Sequence, residues 1–259
     1  MPNPTRGDPD HVAARSPHYS GQVAKPTVSK LVPKVPPLPA VPGVTKRQQY
    51  SASTKRTLVE VAQQLFTEHG YASTSLDAIV AGAQVTKGAL YHHFSGKQAL
   101  FEAVFEQVES STARQIQQEM KGVKDPWEKA LTGLRSFLAA VQGPSYRRIV
   151  IQDGPAVLGY ERYREQEERS AFSVVQDIVR TVLTADGHDV DDDMVGTFAQ
   201  IFFGALSSAG EAVSGAADTT AAAQRVETAI GFILSGIQSL ADRGVTLASG
   251  GLRQLREQG

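Results

Sequence analysis

The sequence has no cysteine among its 259 residues. Disulfide frameworks, cysteine-ligated metal centres and cysteine nucleophiles are therefore excluded. No stretch approaches the roughly 20 consecutive apolar residues that a membrane-spanning helix requires. The first ten residues also lack the apolar core of a secretory signal. We therefore expect a cytoplasmic protein without a membrane partner.

Net charge is also nearly absent, but the charged residues are unevenly distributed. The chain carries 26 lysines and arginines against 27 acidic residues. Residues 1–52 have a net charge of +5, whereas residues 101–259 have a net charge of −7. The positive charge of the N-terminal segment indicates an anionic partner at that end of the chain. An ordinary solvated surface is the competing interpretation of the same distribution.

Proline is scarce except at the beginning of the chain, where ten of the 13 prolines lie at or before Pro42. Proline fixes φ and removes a backbone donor, so helices and central strands do not form in such a segment. We predict a disordered, basic, Pro-rich arm over residues 1–50. It is interpreted as a flexible tether or a groove-binding ligand, and its basic residues are candidates for contact with the anionic partner.

The pattern becomes helical from about Thr54 and remains so, which predicts an all-α fold. Leu58, Val61 and Leu65 belong to one apolar stripe of a first helix that Gly70 ends. Period-2 alternation typical of strands is absent beyond a few residues. The further predicted helices cover approximately residues 75–81, 87–94, 96–120, 126–142, 145–152, 159–184, 191–213 and 218–242. Gly154-Pro155 is predicted to break the chain after the helix 145–152. The predicted N-terminal caps of the later helices are Ser95, Asp125, Asp191 and Asp218.

Residues 54–97 have the arrangement of a helix-turn-helix: a long helix, a short helix, a turn and a second short helix. Gly82 is predicted to allow the tight turn. Thr86 caps the last helix, residues 86–94, which carries Lys87 and small residues at its start. Exposed backbone N–H groups at a helix N-terminus suit a phosphate oxygen, so this helix is the predicted DNA reader.

Three stretches carry a more specific pattern: residues 62–71, residues 74–79, and residues 85–94 with the following 97–100. They resemble the N-terminal DNA-binding domain of the TetR family of bacterial transcriptional regulators. The resemblance implies a helix-turn-helix domain over residues 51–100, a C-terminal helical ligand-binding and dimerisation domain over residues 101–243, and a tail over residues 244–259. It further implies a homodimeric repressor that binds a palindromic operator and is released by a small-molecule effector.

The resemblance also implies which residues contact double-stranded DNA, and Lys55 joins them for its charge near the first helix. Phe94 is expected to pack in the core, whereas Tyr91 is expected to face DNA. The predicted DNA-binding residues are Lys55, Gln84, Thr86, Lys87, Gly88, Ala89, Tyr91, His92 and Lys97.

Aromatic residues of the C-terminal half are the candidates for an effector pocket between helices. For any single one of them, ordinary core packing is the competing interpretation. The segment 153–160 is a candidate pocket wall or coupling element. The predicted effector-binding residues are Trp127, Phe137, Tyr146, Phe172 and Phe202.

Catalytic chemistry finds little support in the sequence. His92 and His93 project from different sides of a helix, and the segment 82–87 lacks the second glycine of a phosphate loop. The acidic run 186–193 matches a calcium loop only in its number of acids. We predict no catalytic residue, cofactor or metal site. A helical enzyme and a protein-interaction scaffold that does not bind DNA remain the alternatives.

Overall fold

The structure, a computed structural model, describes residues 45–185 and 190–243. Every regular element within these ranges is helical and none is a strand, which confirms the all-α fold class. Most of the predicted Pro-rich arm, the predicted tail and part of the acidic run 186–193 lie outside the described residues. The α-helices are α1 (Lys46–Ser73), α2 (Leu76–Ala83), α3 (Lys87–His93), α4 (Lys97–Glu119), α5 (Pro126–Gln142), α6 (Gly154–Leu158), α7 (Tyr160–Glu167), α8 (Ser173–Leu183), α9 (Asp192–Ser214) and α10 (Thr219–Asp242).

Helix α1 begins two turns earlier than predicted, so the prediction of a start near Thr54 is wrong. Thr45 and Gln48 form a capping box: the Gln48 side chain accepts the Thr45 backbone N–H at 2.9 Å, and Thr45 Oγ1 accepts the Gln48 N–H at 3.3 Å. A capping box specifies a helix start without any apolar stripe. The last five residues of the predicted arm are therefore helical. Gly70 has a φ of +77°, which kinks α1 before its last turn.

The second short helix of the helix-turn-helix begins at its predicted cap, Thr86, and the first begins at Ser75, which was predicted only as part of the helix. Ser75 Oγ accepts the Ala78 N–H and Thr86 Oγ1 accepts the Ala89 N–H, each at 3.1 Å. The predicted role of Gly82 is wrong, because the left-handed residue of the turn is Gln84, with φ +54° and ψ +39°. A Cβ at Gly82 would lie 2.8 Å from Val61 Cγ1. Gly82 thus lets α2 pack closely on α1.

One hydrophobic core joins the helix-turn-helix to the segment that follows α5. The rings of Phe66, Tyr71 and Phe101 pack with centroids 5.1–5.7 Å apart. The same cluster contains Ile149 and Val150, both buried. These two residues belong to a π-helical stretch, Tyr146–Asp153, which we call the π segment. The π segment therefore packs directly on the elements that carry the DNA-reading helix.

The breaks after α5 differ from the prediction. Gly154-Pro155 does not end a helix: the chain continues helically from the π segment into α6 and breaks at Gly159, where φ is +79°. Gly154 is needed for packing instead, because a Cβ there would lie 2.8 Å from the Phe105 ring. The predicted helix 159–184 consists of α7 and α8, joined by a π-helical turn, Glu168–Phe172.

The remaining helix starts follow the predicted caps with one exception. Asp125 caps α5, Asp191 caps α9 and Asp218 caps α10, each by accepting a backbone N–H of the first turn. The expected cap by Ser95 is wrong, because Gly96 occupies the N-cap of α4 and makes no side-chain capping bond.

Candidate DNA-binding surface and effector cavity

Helix α3 is held by its apolar side and turns its other side outward. Leu90 is fully buried and Phe94 is 5% exposed, so both pack in the core, as predicted for Phe94. Tyr91, in contrast, is 57% exposed. Successive residues of an α-helix are about 100° apart, so Gly88 and His92, two residues before and after Leu90, lie on the face opposite it and are exposed. The exposed members of the predicted DNA-binding set are Lys55, Gln84, Thr86, Lys87, Gly88, Tyr91 and His92, and the partly buried members are Ala89 and Lys97.

The beginning of α3 has the features of an anion site. The Thr86 side chain caps the Ala89 N–H, while the first N–H groups of any helix lack an intrahelical acceptor. Gly88 is exposed, and a Cβ there would meet no atom closer than 3.8 Å. A phosphate oxygen can therefore approach this helix end closely and gain from its positive dipole.

Each lysine of this surface has a defined partner. Lys87 Nζ lies 2.7 Å from Asp77 Oδ1, and this hydrogen bond raises the pKa of Lys87. Lys97 Nζ lies 4.2 Å from the centroid of the Tyr71 ring, and burial lowers the pKa of Lys97. Lys55 Nζ lies 5.8 Å from the centroid of the Phe94 ring. These contacts fix the positive charges around α3 before any ligand arrives.

A second site is a cavity of about 130 Å³ enclosed by helices α4, α5 and α7–α10 together with the π segment. Most of its lining is aliphatic or aromatic. Three of the predicted effector-binding residues, Phe137, Tyr146 and Phe202, line it. Trp127 and Phe172 are not among the lining residues. Trp127 lies on α5 about one turn before Ala130, the first residue of that helix to line the cavity. Phe172 packs against the lining residue Phe203 instead, with ring centroids 5.6 Å apart.

The sequence analysis missed the polar groups of this cavity. Glu109, Glu167 and Tyr163 line it, and Tyr163 Oη donates a hydrogen bond of 3.0 Å to Glu167 Oε1. Burial, reinforced by the charge of Glu167, raises the pKa of Glu109 to about 8. The sequence does contain a signal for this polar site. Glu109 follows Phe105 by one helical turn, so an acidic residue lies within the apolar stripe of α4. An acid inside such a stripe indicates a buried polar site.

Two family models match the chain. The model of bacterial regulatory proteins of the tetR family matches residues 58–104, and the model of the tetracyclin repressor-like C-terminal domain matches residues 127–237. The first range covers the helix-turn-helix, and the second contains most of the cavity lining. The chain belongs to the TetR family.

Relatives of this TetR-family chain include curated regulators. The HTH-type transcriptional regulator AcrR of Shigella flexneri is 36% identical over 97 residues, which are 37% of this chain and 43% of that protein. The A-factor receptor protein of Streptomyces griseus is 30% identical over 102 residues, which are 39% of this chain and 35% of that protein. The chain thus matches less than half the length of either relative.

A solved structure extends the similarity beyond the helix-turn-helix. A TetR-family transcriptional regulator from Pectobacterium atrosepticum is 29% identical and has a TM-score of 0.61. The similarity covers 74% of this chain and 97% of that one. The chain is therefore a TetR-family transcriptional regulator with a helix-turn-helix DNA-binding domain and a helical C-terminal domain.

Residues 45–185 and 190–243 contain no cluster of three or more histidines and acids that could hold a metal ion. Within the same residues, no helix combines the length and the apolar composition required to span a membrane.

Proposed function

We propose that the protein is a cytoplasmic transcriptional repressor that binds a palindromic operator as a homodimer and is released from it by a small-molecule effector. The observation that carries the proposal is the orientation of α3. The helix exposes Lys87, Gly88 and Tyr91, while Leu90 and Phe94 anchor it. Such a helix fits the major groove of B-DNA. We propose the predicted DNA-binding residues, from Lys55 to Lys97, as the contact set.

The homodimer is supported by the outer faces of α9 and α10. Ile201 is 62% exposed on α9, and Phe232 and Ile233 are 82% and 52% exposed on α10. Residues 228–241 and 196–210 contain no charged side chain. Exposed large apolar side chains on uncharged stretches of two neighbouring helices are typical of a protein interface. A second copy of the chain placed on these faces would hold two α3 helices for successive major grooves.

Effector release is supported by the position of the π segment between the two sites. Its residues Tyr146 and Ile151 line the cavity. At its end, Asp153 Oδ2 accepts the Tyr71 backbone N–H at 2.8 Å. Just before it, Thr67 Oγ1 donates to Ser145 Oγ at 3.1 Å. A ligand that displaces the cavity wall would move the end of α1 and, with it, the helix-turn-helix.

Such a ligand acts only if it binds the DNA-incompetent arrangement more tightly than the competent one. The predicted effector residues that line the cavity are Phe137, Tyr146 and Phe202. We propose these three as ligand contacts. The apolar lining favours a ligand with an apolar body.

The test is a selection of genomic DNA fragments by the full-length protein, followed by binding measurements over a range of salt concentrations. We expect selected fragments to share an inverted repeat. Lys87→Ala should weaken binding to all sequences and reduce the slope of log K against log salt concentration by about 0.9 per protomer. Lys124→Ala removes an exposed lysine outside the helix-turn-helix and should change neither.

Two outcomes would overturn the proposal. One is a selection that yields no shared repeat, and the other is a Lys87→Ala protein that binds like the wild type. The first result would favour the helical scaffold that does not bind DNA, and the second would contradict the role of α3 as the DNA-contacting helix.

A further inference from the structure

Two of the three carboxyl groups that line the effector cavity are buried in a mostly apolar surrounding. Glu109 of α4 is 3% exposed, and Glu167 of α7 is 7% exposed. Both residues line the cavity. Acidic side chains are almost never buried to this extent unless they are paired. The pair therefore requires an explanation beyond packing.

The hydrogen bonding of the two carboxyl groups is incomplete. Glu167 Oε1 accepts the hydroxyl of Tyr163. Glu109 Oε2 is buried and has no hydrogen-bond partner among the described residues. An unsatisfied buried oxygen costs free energy because it has lost its water without gaining a donor. A donor supplied from the cavity would remove this cost.

The electrostatic surroundings of Glu109 are negative. Glu167 and Tyr163 of α7, Tyr146 of the π segment and Glu211 of α9 share the cavity lining with it. Ser170, in the turn between α7 and α8, is the neighbour whose hydrogen bond lowers the pKa of Glu109. None of the described residues that line the cavity is a lysine, an arginine or a histidine.

One cation lies near this group without lining the cavity. The positive charge of Arg164 lowers the pKa of Glu167. The Arg164 guanidinium itself stacks over the Phe203 ring, 5.9 Å from its centroid. The acids of the cavity therefore outnumber the bases that face them, and a positive ligand would correct the imbalance.

We propose that this cavity binds a compact apolar compound whose cationic nitrogen group donates hydrogen bonds to Glu109 and Glu167. The inference rests on the proposed function in taking the cavity as the effector site, and it adds the chemical class of the effector. The ring or chain of the ligand would lie against Phe137 and Phe202. Its amidinium or ammonium N–H groups would satisfy Glu109 Oε2 and neutralise the acidic pair.

The size of the cavity limits the ligand. A cavity of about 150 Å³ accommodates benzene. The volume of about 130 Å³ found here therefore suits a single ring with a small substituent. Benzamidinium is a suitable probe, because its charge is constant near neutral pH. Benzamide has nearly the same shape without the charge, and benzoate carries the opposite charge.

Binding of a permanent cation should depend on pH through Glu109. Since the pKa of Glu109 is about 8, its carboxyl group is mostly protonated at neutral pH and must lose the proton to form the ion pair. Affinity should therefore increase by up to about tenfold per pH unit below pH 8 and become constant above it. A neutral ligand should show no such dependence.

The experiment is isothermal titration calorimetry of the full-length protein with the three probes at pH 6, 7 and 8. We expect benzamidinium to bind more tightly as pH rises, benzamide to bind weakly and equally at each pH, and benzoate not to bind. Glu109→Gln keeps the shape of the side chain and should reduce benzamidinium affinity at least tenfold. Glu106→Gln changes an exposed residue of the same helix and should leave the affinity unchanged.

The outcomes separate this inference from the function on which it rests. Benzamidinium affinity that is equal in wild type and Glu109→Gln, or independent of pH, would overturn the cationic ligand class, whatever the DNA-binding result. Glu109-dependent binding that leaves operator affinity unchanged would support the ligand class and contradict effector release. Thermal unfolding of each variant confirms that it is folded.

Discussion

Asp77 Oδ1 lies 2.7 Å from Lys87 Nζ, so the first residue of the DNA-reading helix is paired with a carboxylate of the preceding helix. Both side chains are about two-thirds exposed, at 67% and 64%. Ion pairs at this exposure contribute little to stability. A DNA phosphate can therefore replace Asp77 as the partner of Lys87, and Asp77 holds the lysine near the position where it is needed.

Asp77→Asn should tighten DNA binding, because it removes a negative charge next to the phosphates and leaves Lys87 without a competing partner. We expect an increase in affinity of roughly twofold to fivefold at low salt for specific and random DNA alike. Fluorescence anisotropy at several salt concentrations measures this effect. The difference should vanish in the Lys87→Ala background, and an increase that persists there would contradict a role through Lys87.

Gly70→Ala should destabilise the protein more than Gly96→Ala does. Gly70 has a φ of +77°, and a Cβ there would lie 1.8 Å from an Arg148 guanidinium nitrogen. With its ψ of 165°, Gly70 has a conformation that essentially only glycine adopts, so the backbone strain alone costs about 1–3 kcal/mol in an L-residue. Gly96 has an extended φ of 168° and open space around its Cβ position. Chemical denaturation compares the two variants, and equal stability would contradict the assignment.

Asp153→Ala should cost more stability than Asp153→Asn. Asp153 Oδ2 accepts the Tyr71 N–H at 2.8 Å and lies 3.3 Å from Arg148 Nε. Alanine leaves the partly buried N–H without its acceptor, a loss of about 1–3 kcal/mol, while asparagine retains an oxygen for it. Urea unfolding measures the order of the two variants. Hydrogen exchange at Tyr71 should accelerate in Asp153→Ala, and an unchanged rate there would contradict this account.

Glu109→Gln should stabilise the protein more at pH 8 than at pH 5.5. Burial raises the pKa of Glu109 from 4.5 to about 8, so the folded protein holds a proton that the unfolded chain releases between these values. Wild-type stability therefore decreases as pH rises through this range, by up to about 1.4 kcal/mol per unit. Glutamine does not titrate, and the stability difference between variant and wild type should grow with pH. A difference that is constant with pH would contradict the raised pKa.

Phe232→Glu should convert the proposed dimer into monomers. Phe232 is 82% exposed on α10, within the uncharged outer face described above. A carboxylate placed in an apolar interface loses its hydration without gaining a partner. Sedimentation velocity measures the oligomeric state. Tyr160→Glu is the matched control, because Tyr160 is 76% exposed on α7 and lies outside that face, so its substitution should leave the dimer intact.

The DNA-reading region was the most predictable part of the chain, because its signals are local. Side-chain caps at Ser75 and Thr86 and the apolar positions Ile79 and Leu90 each act within a few residues. The limits of α2 and α3 were therefore predicted within two residues. The start of α1 was missed because Thr45 and Gln48 form a capping box ahead of two largely polar turns, where no apolar stripe marks a helix.

The effector cavity was predictable only in part. The aromatic residues Phe137, Tyr146 and Phe202 were candidates, but equally good candidates, Trp127 and Phe172, do not line the cavity. Helical periodicity predicts the face of the helix on which a residue lies. It does not predict which neighbouring helix packs against that face. Whether a residue lines a cavity depends on packing among five or more helices that are distant in sequence.

The sequence by itself determined the helices, their caps and the membership of the DNA-binding half in a family, since these depend on contacts between near neighbours along the chain. Only the tertiary structure decided which charges meet. It placed Asp77 beside Lys87, brought Asp153 to the end of α1, and buried Glu109 and Glu167 in one cavity. Such contacts arise when separate helices pack together, and the free energy of burial that drives this packing is shared by the whole core.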